Sequence, residues 1–443
     1  MEDSLHHLQQ LLQAKTISYL DRSRIDFKEY DKFIECVKEF YPTLLKKSEF
    51  KCVEGYSLLF KIKGTTDKDP VGFMGHYDVV PVNEEGWKVD PFSGEITDGY
   101  IYGRGTLDMK GHVVALLEAI ESLLKEGIEF ERDVYIMLGH NEETGSALPD
   151  SGARKIMEML RDEGKHFYCV VDEGGAFIKG DAMGVNGIIG LVGVAEKGYC
   201  DIELSATQEG GHASTPPKTS ALYEVTQAAS LMESNKFIAD YNEATIAMFD
   251  ALQPYMKQPL KFLFSYRNVF KPIIINALVK SPETAATVRT TSVMTMASGS
   301  KAPNVLAQEA KVNINCRLVP GDTVEQLVAR IKSRVKPNIK IKAINGNDPT
   351  TISPTTHPAY KSIHMAVRAV YPECLTVAPY LMVAATDSRL YHPISDGVYR
   401  VQPFMSMLED RSTVHADNER ISLDSFYKGI EFFKQCIHNI ANQ

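Results

Sequence analysis

The sequence is poor in the features that mark several large protein classes. Its seven cysteines (Cys36, Cys52, Cys169, Cys200, Cys316, Cys374 and Cys436) are scattered, odd in number and free of CxxC pairs. That excludes a disulfide frame or a zinc ribbon and reads as reduced thiols acting as small buried hydrophobes. No run approaches the roughly 18 apolar residues of a membrane span. Lys and Arg number 48 against 57 Asp and Glu, and the resulting net charge of −9 gives nucleic acid no electrostatic foothold. The opening MEDSLHHLQQLLQAK is acidic and lacks the apolar core of a secretion signal, so a cytoplasmic protein without a membrane partner is expected. Repeats and low-complexity segments are absent too. Tryptophan occurs once, at Trp87, inside the loop on which the reading below centres.

What is present is a chain of 443 residues, too long for one ordinary core, which implies two domains. Val71–Met74 reads as a buried strand ending in Gly75-His76-Tyr77-Asp78. A loop rich in Gly, Pro and Asp follows and closes on Gly103-Arg104-Gly105-Thr106-Leu107-Asp108. A helix with a broad apolar face runs from Gly111 to Gly127. The strand Val134–Leu138 leads into Gly139-His140-Asn141-Glu142-Glu143-Thr144-Gly145, and Tyr168–Val171 leads into Asp172-Glu173-Gly174-Gly175. Strand–helix–strand alternation implies an α/β fold with a mixed, largely parallel sheet sandwiched by helices. In such sheets ligand sites gather beyond the carboxyl ends of the strands. His76, Asp108, Glu142, Glu143 and Glu173 are thereby compatible with one crevice.

The texture changes near Lys197. Strands at Tyr199–Thr207, about Ala286–Ala297, Gln308–Leu318 and Ile339–Ile344, with helices at Ala221–Met232 and Val324–Val335, give the order β-α-β-β-α-β. That is a ferredoxin-like α+β domain. It is expected over 197–350, inserted between the two parts of a catalytic domain, 1–196 and 351–443. It carries a further helical insertion at about 233–283. The insertion holds Phe237, Tyr241, Phe249, Tyr255, Phe262, Phe264, Tyr266 and Phe270. These residues suit an acyl pocket or a subunit contact, and packing within the lid is the commoner use of such a stripe.

Each polar residue also has a plainer role. His76 and Asp78 lie two apart on one side of an extended segment, as a metal-binding histidine and its orienting carboxylate would; a surface pair looks the same. Asp108 suits an N-cap as well as a ligand. Glu142 and Glu143 repel one another, so a tight loop holding both needs a cation unless it is solvated. Jointly, His76, His415 and the carboxylates form an N/O donor set for two divalent ions bridged by one carboxylate. Such ions stand about 3.5–4 Å apart, and the donor types favour Zn2+ with Co2+ or Mn2+ as substitutes.

The runs GHYDVVPV, DPFSG…DGYIYGRGTLDMKG, HNEETGS, DEGG, GGHASTPP, APNVL, NCRLVPGDT, TDSR and VHADNERI, in that order from His76 to Arg420, resemble the aminoacylase / carboxypeptidase S / acetylornithine deacetylase / succinyl-diaminopimelate desuccinylase family of zinc metallopeptidases. GHASTPP and TDSR look most like its carboxypeptidase S and N-acyl-amino-acid hydrolase branch. The resemblance implies that Asp108 bridges two zinc ions per subunit, with His76 and Glu173 completing one site and Glu143 and His415 the other. It makes Glu142 the general base and Asp78 the residue orienting His76. It makes His212 a stabiliser of the oxyanion, reaching across a homodimer in many members. Asn304 and Arg317 are placed near the substrate's carboxylate, and Thr386 and Asp387 in a loop bordering the same pocket. The implied substrates are dipeptides, C-terminal residues or N-acyl amino acids.

The chain departs from the family pattern at Ala384-Ala385 and Ala416, where glycine is usual, and at Ala307, where proline is usual. These leave the ligands intact and bear on substrate fit. Two other readings remain: a catalytically idle relative acting as a binding or dimerisation module, and a two-metal hydrolase of another class, such as a phosphoesterase.

Overall fold

The computed structural model describes residues 2–145 and 150–443; Ser146 of the HNEETGS run lies outside them. Its centre is a nine-stranded sheet. Along the sheet the strands run Ser48–Val53, Ser57–Ile62, Val134–Gly139, Val71–His76, Cys169–Asp172, Val398–Arg400, Ile188–Glu196 and Cys374–Met382, with Ala176–Lys179 paired to Ile188–Glu196. The four strands from Val134–Gly139 to Val398–Arg400 are mutually parallel. Their shared direction puts His76, the Glu142–Glu143 turn and Glu173 at one edge. His76 sits opposite Gly139 in the register.

Alternation along these strands sorts their side chains into two layers. Phe73, Ile136 and Val171 join the core beneath the helices Lys110–Lys125 and Leu423–Ala441, whereas Met74, Tyr135, Met137 and Val170 pack on the helix Gly152–Asp162. Every residue of Val71–His76 and Val134–Gly139 is buried, as expected of parallel strands covered on both faces. The helix Lys110–Lys125 begins hard against the loop before it. A Cβ on Gly111 would lie 2.1 Å from the Thr106 carbonyl oxygen, so only glycine permits that approach.

A second, antiparallel sheet has the order Thr291–Ser298, Glu309–Leu318, Gly198–Thr207, Lys340–Asn347. With the helices Ala221–Ser234 and Val324–Lys332 against its apolar face, it has the β-α-β-β-α-β order expected from the sequence. The two sheets join where Glu196 ends one strand and Gly198 begins the next. The return crossing is clasped to the outgoing one: the Thr350 amide donates to the Glu196 carbonyl (3.1 Å) and the Glu196 amide to Thr350 Oγ1 (2.9 Å).

Three expectations need correction. The strand placed from Ala286 starts at Thr291, because Pro282–Val288 forms a helix with proline in its first turn. The strand Ser48–Val53, hairpin partner of Ser57–Ile62, was not foreseen. The aromatic insertion packs within the lid only through Phe237, which joins the core of the four-stranded unit. Its helices Glu243–Leu252, Leu260–Ser265 and Lys271–Leu278 place Met248, Phe249, Leu252, Phe264 and Ile274 against Ile189, Leu191 and Ala378 of the large sheet. The edge pair Ile188–Glu196 and Cys374–Met382 presents an apolar face that would otherwise meet water, and the insertion covers it.

Lys197, at the joint, is buried and donates to the carbonyls of Ala286 (2.8 Å) and Arg289 (2.9 Å). Burial, aided by the Arg317 guanidinium, brings its pKa down to about 7. A neutral amine still serves both carbonyls. Between about pH 7 and 10 the unfolded chain therefore holds a proton that the folded chain lacks, and stability rises with pH there. Lys197→Met should remove up to about 1.4 kcal/mol per pH unit of that slope, read from denaturation midpoints at pH 7, 8 and 9. An unchanged slope would show that the lysine stays charged when folded.

Candidate metal centre

His76 is the last residue of its strand and almost fully buried. Its Nδ1 lies 3.0 Å from the Asp78 carbonyl oxygen and 3.3 Å from Asp78 Oδ1, which leaves Nε2 to face the crevice. Asp78 does a second job. Its two carboxylate oxygens accept the backbone N–H groups of Glu142 (3.0 Å) and Glu143 (3.1 Å), so one side chain fixes both the histidine and the acidic turn. Burial pushes the Asp78 carboxyl upward, but the His76 hydrogen bond and charge outweigh it and hold the group below its ordinary value.

Asp108 stands at the centre. Its Oδ1 lies 3.1 Å from His76 Nε2, and that same nitrogen is 3.4 Å from Glu173 Oε1. Its Oδ2 lies 3.0 Å from His415 Nε2, which is 3.1 Å from Glu143 Oε1. The two oxygens of one carboxylate thus divide between two sets of donors. Ligands bonded at about 2.0 Å to a tetrahedral ion stand about 3.3 Å apart, and these separations match. His415 reaches its place from a left-handed backbone (φ 59°), a conformation uncommon outside glycine that recurs at functional sites. Glu142 Oε2 is farther off, 3.9 Å from His76 Nε2.

The electrostatics also fit a cation. Burial and Asp108 push Glu173 up to about 8. Burial, with Glu173, Asp387 and Glu143 nearby, raises Glu142 well above the carboxylate range. Glu143 is raised as well, by burial first. His415 moves up to about 10 through its contacts with Asp108 and Glu143. Carboxylates this crowded resist ionisation unless positive charge is supplied, and these N/O donors are of a kind that could hold a divalent cation.

Some residues that build the site were missed in the sequence. Glu419, fully buried, accepts the amides of Gly105 (3.2 Å), Leu107 (2.8 Å) and Asp108 (3.1 Å) on Oε1 and pairs with Arg104 through Oε2 (2.6 Å). Arg104 also donates to the Ala416 carbonyl (3.1 Å), beside His415, and lies under the ring of Trp87. Glu419 and Arg104 therefore bolt the Asp108 turn to the His415 turn. The motif DNER carried the signal, but nothing in it showed that its glutamate is buried. Asp387, which the resemblance places with Thr386 in a loop bordering the pocket, is buried with one oxygen unpartnered and close to Gly139.

The other candidates sit elsewhere. Thr386 is buried and gives its amide (3.2 Å) and hydroxyl (3.0 Å) to Glu196, which also pairs with Arg400 (2.6 Å). His212 is exposed, with Nδ1 2.7 Å from Ser214 Oγ, and the Asn304 carbonyl accepts the amide of its neighbour Ala213 (2.9 Å). Arg317 stacks on Tyr199, 4.6 Å from the ring centre. Among the described contacts, none of these three reaches the His76–Asp108 cluster.

Residues 72–439 match the peptidase family M20/M25/M40. The chain is 33% identical over 418 residues to the human N-fatty-acyl-amino acid synthase/hydrolase PM20D1, covering 93% of this chain and 82% of that protein. It is 33% identical to the probable carboxypeptidase S-like 2 of Dictyostelium discoideum, covering 96% and 82%. In fold it is similar to the M20 family metallo-carboxypeptidase Sso-CP2 from Sulfolobus solfataricus, with a TM-score of 0.74 at 18% identity and full coverage of both chains.

Because Glu419 supports the Asp108 turn without joining either donor set, Glu419→Gln should weaken metal binding about 10- to 100-fold. Competition against a chromogenic chelator measures it. Affinity equal to that of the wild type would mean that the turn holds its shape without the carboxylate.

Proposed function

The chain belongs to peptidase family M20/M25/M40, and from that premise we propose that it hydrolyses the amide bond next to a free carboxylate, in N-acyl amino acids or at the C-terminus of short peptides. The division of Asp108 between His76 with Glu173 and His415 with Glu143 carries the reading. His76 and Glu173 would hold one divalent ion and His415 and Glu143 another, with Asp108 between them; Zn2+ there, or Co2+ or Mn2+ in its place, would supply a lowered pKa for a bound water and polarise the scissile carbonyl. The names of the human and Dictyostelium relatives, an N-fatty-acyl-amino acid synthase/hydrolase and a carboxypeptidase S-like protein, bracket the substrate class.

In this reading Glu142 carries the proton. Its Oε2 stands at the edge of the His76–Glu173 set, 3.9 Å from His76 Nε2, and burial raises its pKa well above the ordinary carboxylate value, as suits a group that takes up a proton and gives it back. It takes a proton from the attacking water and returns it to the departing nitrogen as the C–N bond breaks; the water's oxygen stays on the acyl carbon. Asp78 fixes the tautomer of His76 and, by holding the Glu142 amide, sets where that carboxylate starts.

The four-stranded unit acts as a lid, turning about the Lys197–Thr350 joint. His212 offers a hydrogen-bond donor to the oxyanion, and Arg317 and Asn304 meet the substrate's carboxylate. A homodimer is part of the proposal. His212 stands away from its own cluster, and the edge strand Thr291–Ser298 exposes Val293, Met294 and Met296, a surface suited to a second copy. Among the described residues no helix is long and apolar enough to cross a membrane; the cytoplasmic setting is proposed on the seven free thiols.

The test is amino-acid release from a mixed panel of dipeptides and N-acyl amino acids, with and without a chelator. Chelator-sensitive release is expected. Glu142→Gln should retain the metals by atomic absorption yet lose turnover by about 10²- to 10⁴-fold. Loss of metal together with turnover would make Glu142 a ligand instead.

A further inference from the structure

The insertion that covers the edge of the large sheet also leaves space against it. Met248, Phe264, Ile274 and Leu278 from its helices face Leu191 and Tyr380 from the strands across a cavity of 440 Å³. That lies within the roughly 300–1,000 Å³ of ligand pockets. The wall is mostly hydrocarbon and includes no Lys, Arg or His. It therefore offers no positive charge to a phosphate or a carboxylate and suits an aliphatic guest.

The cavity has direction. Its polar groups, Ser281, Glu283, Thr284 and Thr287, cluster at the helix Pro282–Val288, and that helix is tied by the Ala286 carbonyl to Lys197 at the joint between the sheets. Elsewhere the wall includes Ile273, which is 58% exposed and opens the cavity to the surface. On the sheet side, Tyr380 is two residues, roughly 7 Å of strand, from Met382. A Cβ on Gly174 would stand 2.7 Å from the Met382 sulfur, and Gly174 follows Glu173 of the cluster directly. One wall of the cavity thus runs along the strand face that reaches the Glu173 turn.

We propose that this cavity receives the long unbranched acyl chain of an N-acyl amino acid whose amide lies at the cluster. Met183, Met248 and Met256 in the wall give it the adaptable lining that a flexible chain requires. The proposal rests on the amidohydrolase reading above and narrows its substrate class to long-chain N-acyl amino acids.

Two measurements test it, one of them independent of turnover. Across N-acetyl, N-octanoyl and N-palmitoyl forms of the amino acids released in the panel, kcat/KM should climb by roughly threefold per added methylene until the cavity is full. Leu278→Trp and Met248→Trp, on separate helices, should each cut the palmitoyl-to-acetyl ratio of kcat/KM by at least tenfold. Separately, the wild type should bind a dansyl-labelled fatty acid that palmitate displaces, and both variants should bind it at least tenfold more weakly. Cleavage of acetyl substrates with no rise along the series would overturn the cavity's role and leave the amidohydrolase reading standing. If no N-acyl amino acid is cleaved, binding that both variants weaken upholds the cavity and counts against the reading of the cluster. Absence of fatty-acid binding overturns the proposal.

Discussion

Five carboxylates meet at the carboxyl end of one parallel sheet, and the structure around them is arranged to keep them there. Like charges in a buried crevice repel strongly and resist ionisation. Asp78 is fixed by two main-chain amides from the acidic turn, and the Asp108 turn is fixed by three amides converging on Glu419. Amides are useful here because they are dipoles already held by the fold, so they hold the carboxylates in place without adding net charge. The formal positive charge within the support is Arg104, and it is spent on Glu419 beneath the cluster. The crevice is left with an excess of negative charge facing two histidine nitrogens, the condition under which divalent cations bind.

How far the sequence could be read follows from where each signal resides. The strands ending at His76 and Gly139 showed themselves as apolar runs cut off by polar residues, and a parallel sheet brings such ends together whatever the details of packing. That is why His76, Asp108, Glu142, Glu143 and Glu173 could be read as compatible with one crevice from order and residue type, whereas the pairing of His415 with Glu143 came from the family resemblance. Glu419 and Glu196 could not, because a charged residue in sequence reads as surface until its partner is known. The partner of Glu419 is 315 positions away, and the hydroxyl that meets Glu196 is 190 positions away. The insertion illustrates the same limit from the apolar side. Its helices were legible locally, but the face they cover belongs to strands that precede and follow it by many residues, so their docking is a tertiary fact.

Glu196 and Lys197 anchor the joint between the two sheets with opposite chemistry. Glu196 collects the Arg400 guanidinium and the Thr386 hydroxyl, whereas Lys197 gives its amine to carbonyls at the end of the insertion. Removing either partner of a buried pair leaves an uncompensated group, typically about 3–5 kcal/mol for an ion pair. The joint is therefore stiff along the sheet. Rotation between the sheets must use the few backbone bonds between Glu196 and Gly198 and those at the Thr350 crossing.

This arrangement separates two kinds of selectivity. The donors around Asp108 and the cavity beneath the insertion share one rigid sheet, so the distance between them is set by strand geometry and does not depend on the second sheet. Arg317 lies on that second sheet, His212 on the two-stranded ribbon Gly211–His212 with Val305–Leu306, and Asn304 in the turn before Val305; among the described contacts none reaches the cluster. Recognition of whatever fills the cavity is thus built into the same body as the chemistry. Recognition of groups met by the second sheet requires a change at the joint or the approach of another copy. An enzyme so divided can hold the apolar part of a substrate before the polar part is enclosed, which fits a ligand whose hydrocarbon supplies most of its binding energy and whose amide must still be positioned to within a bond length.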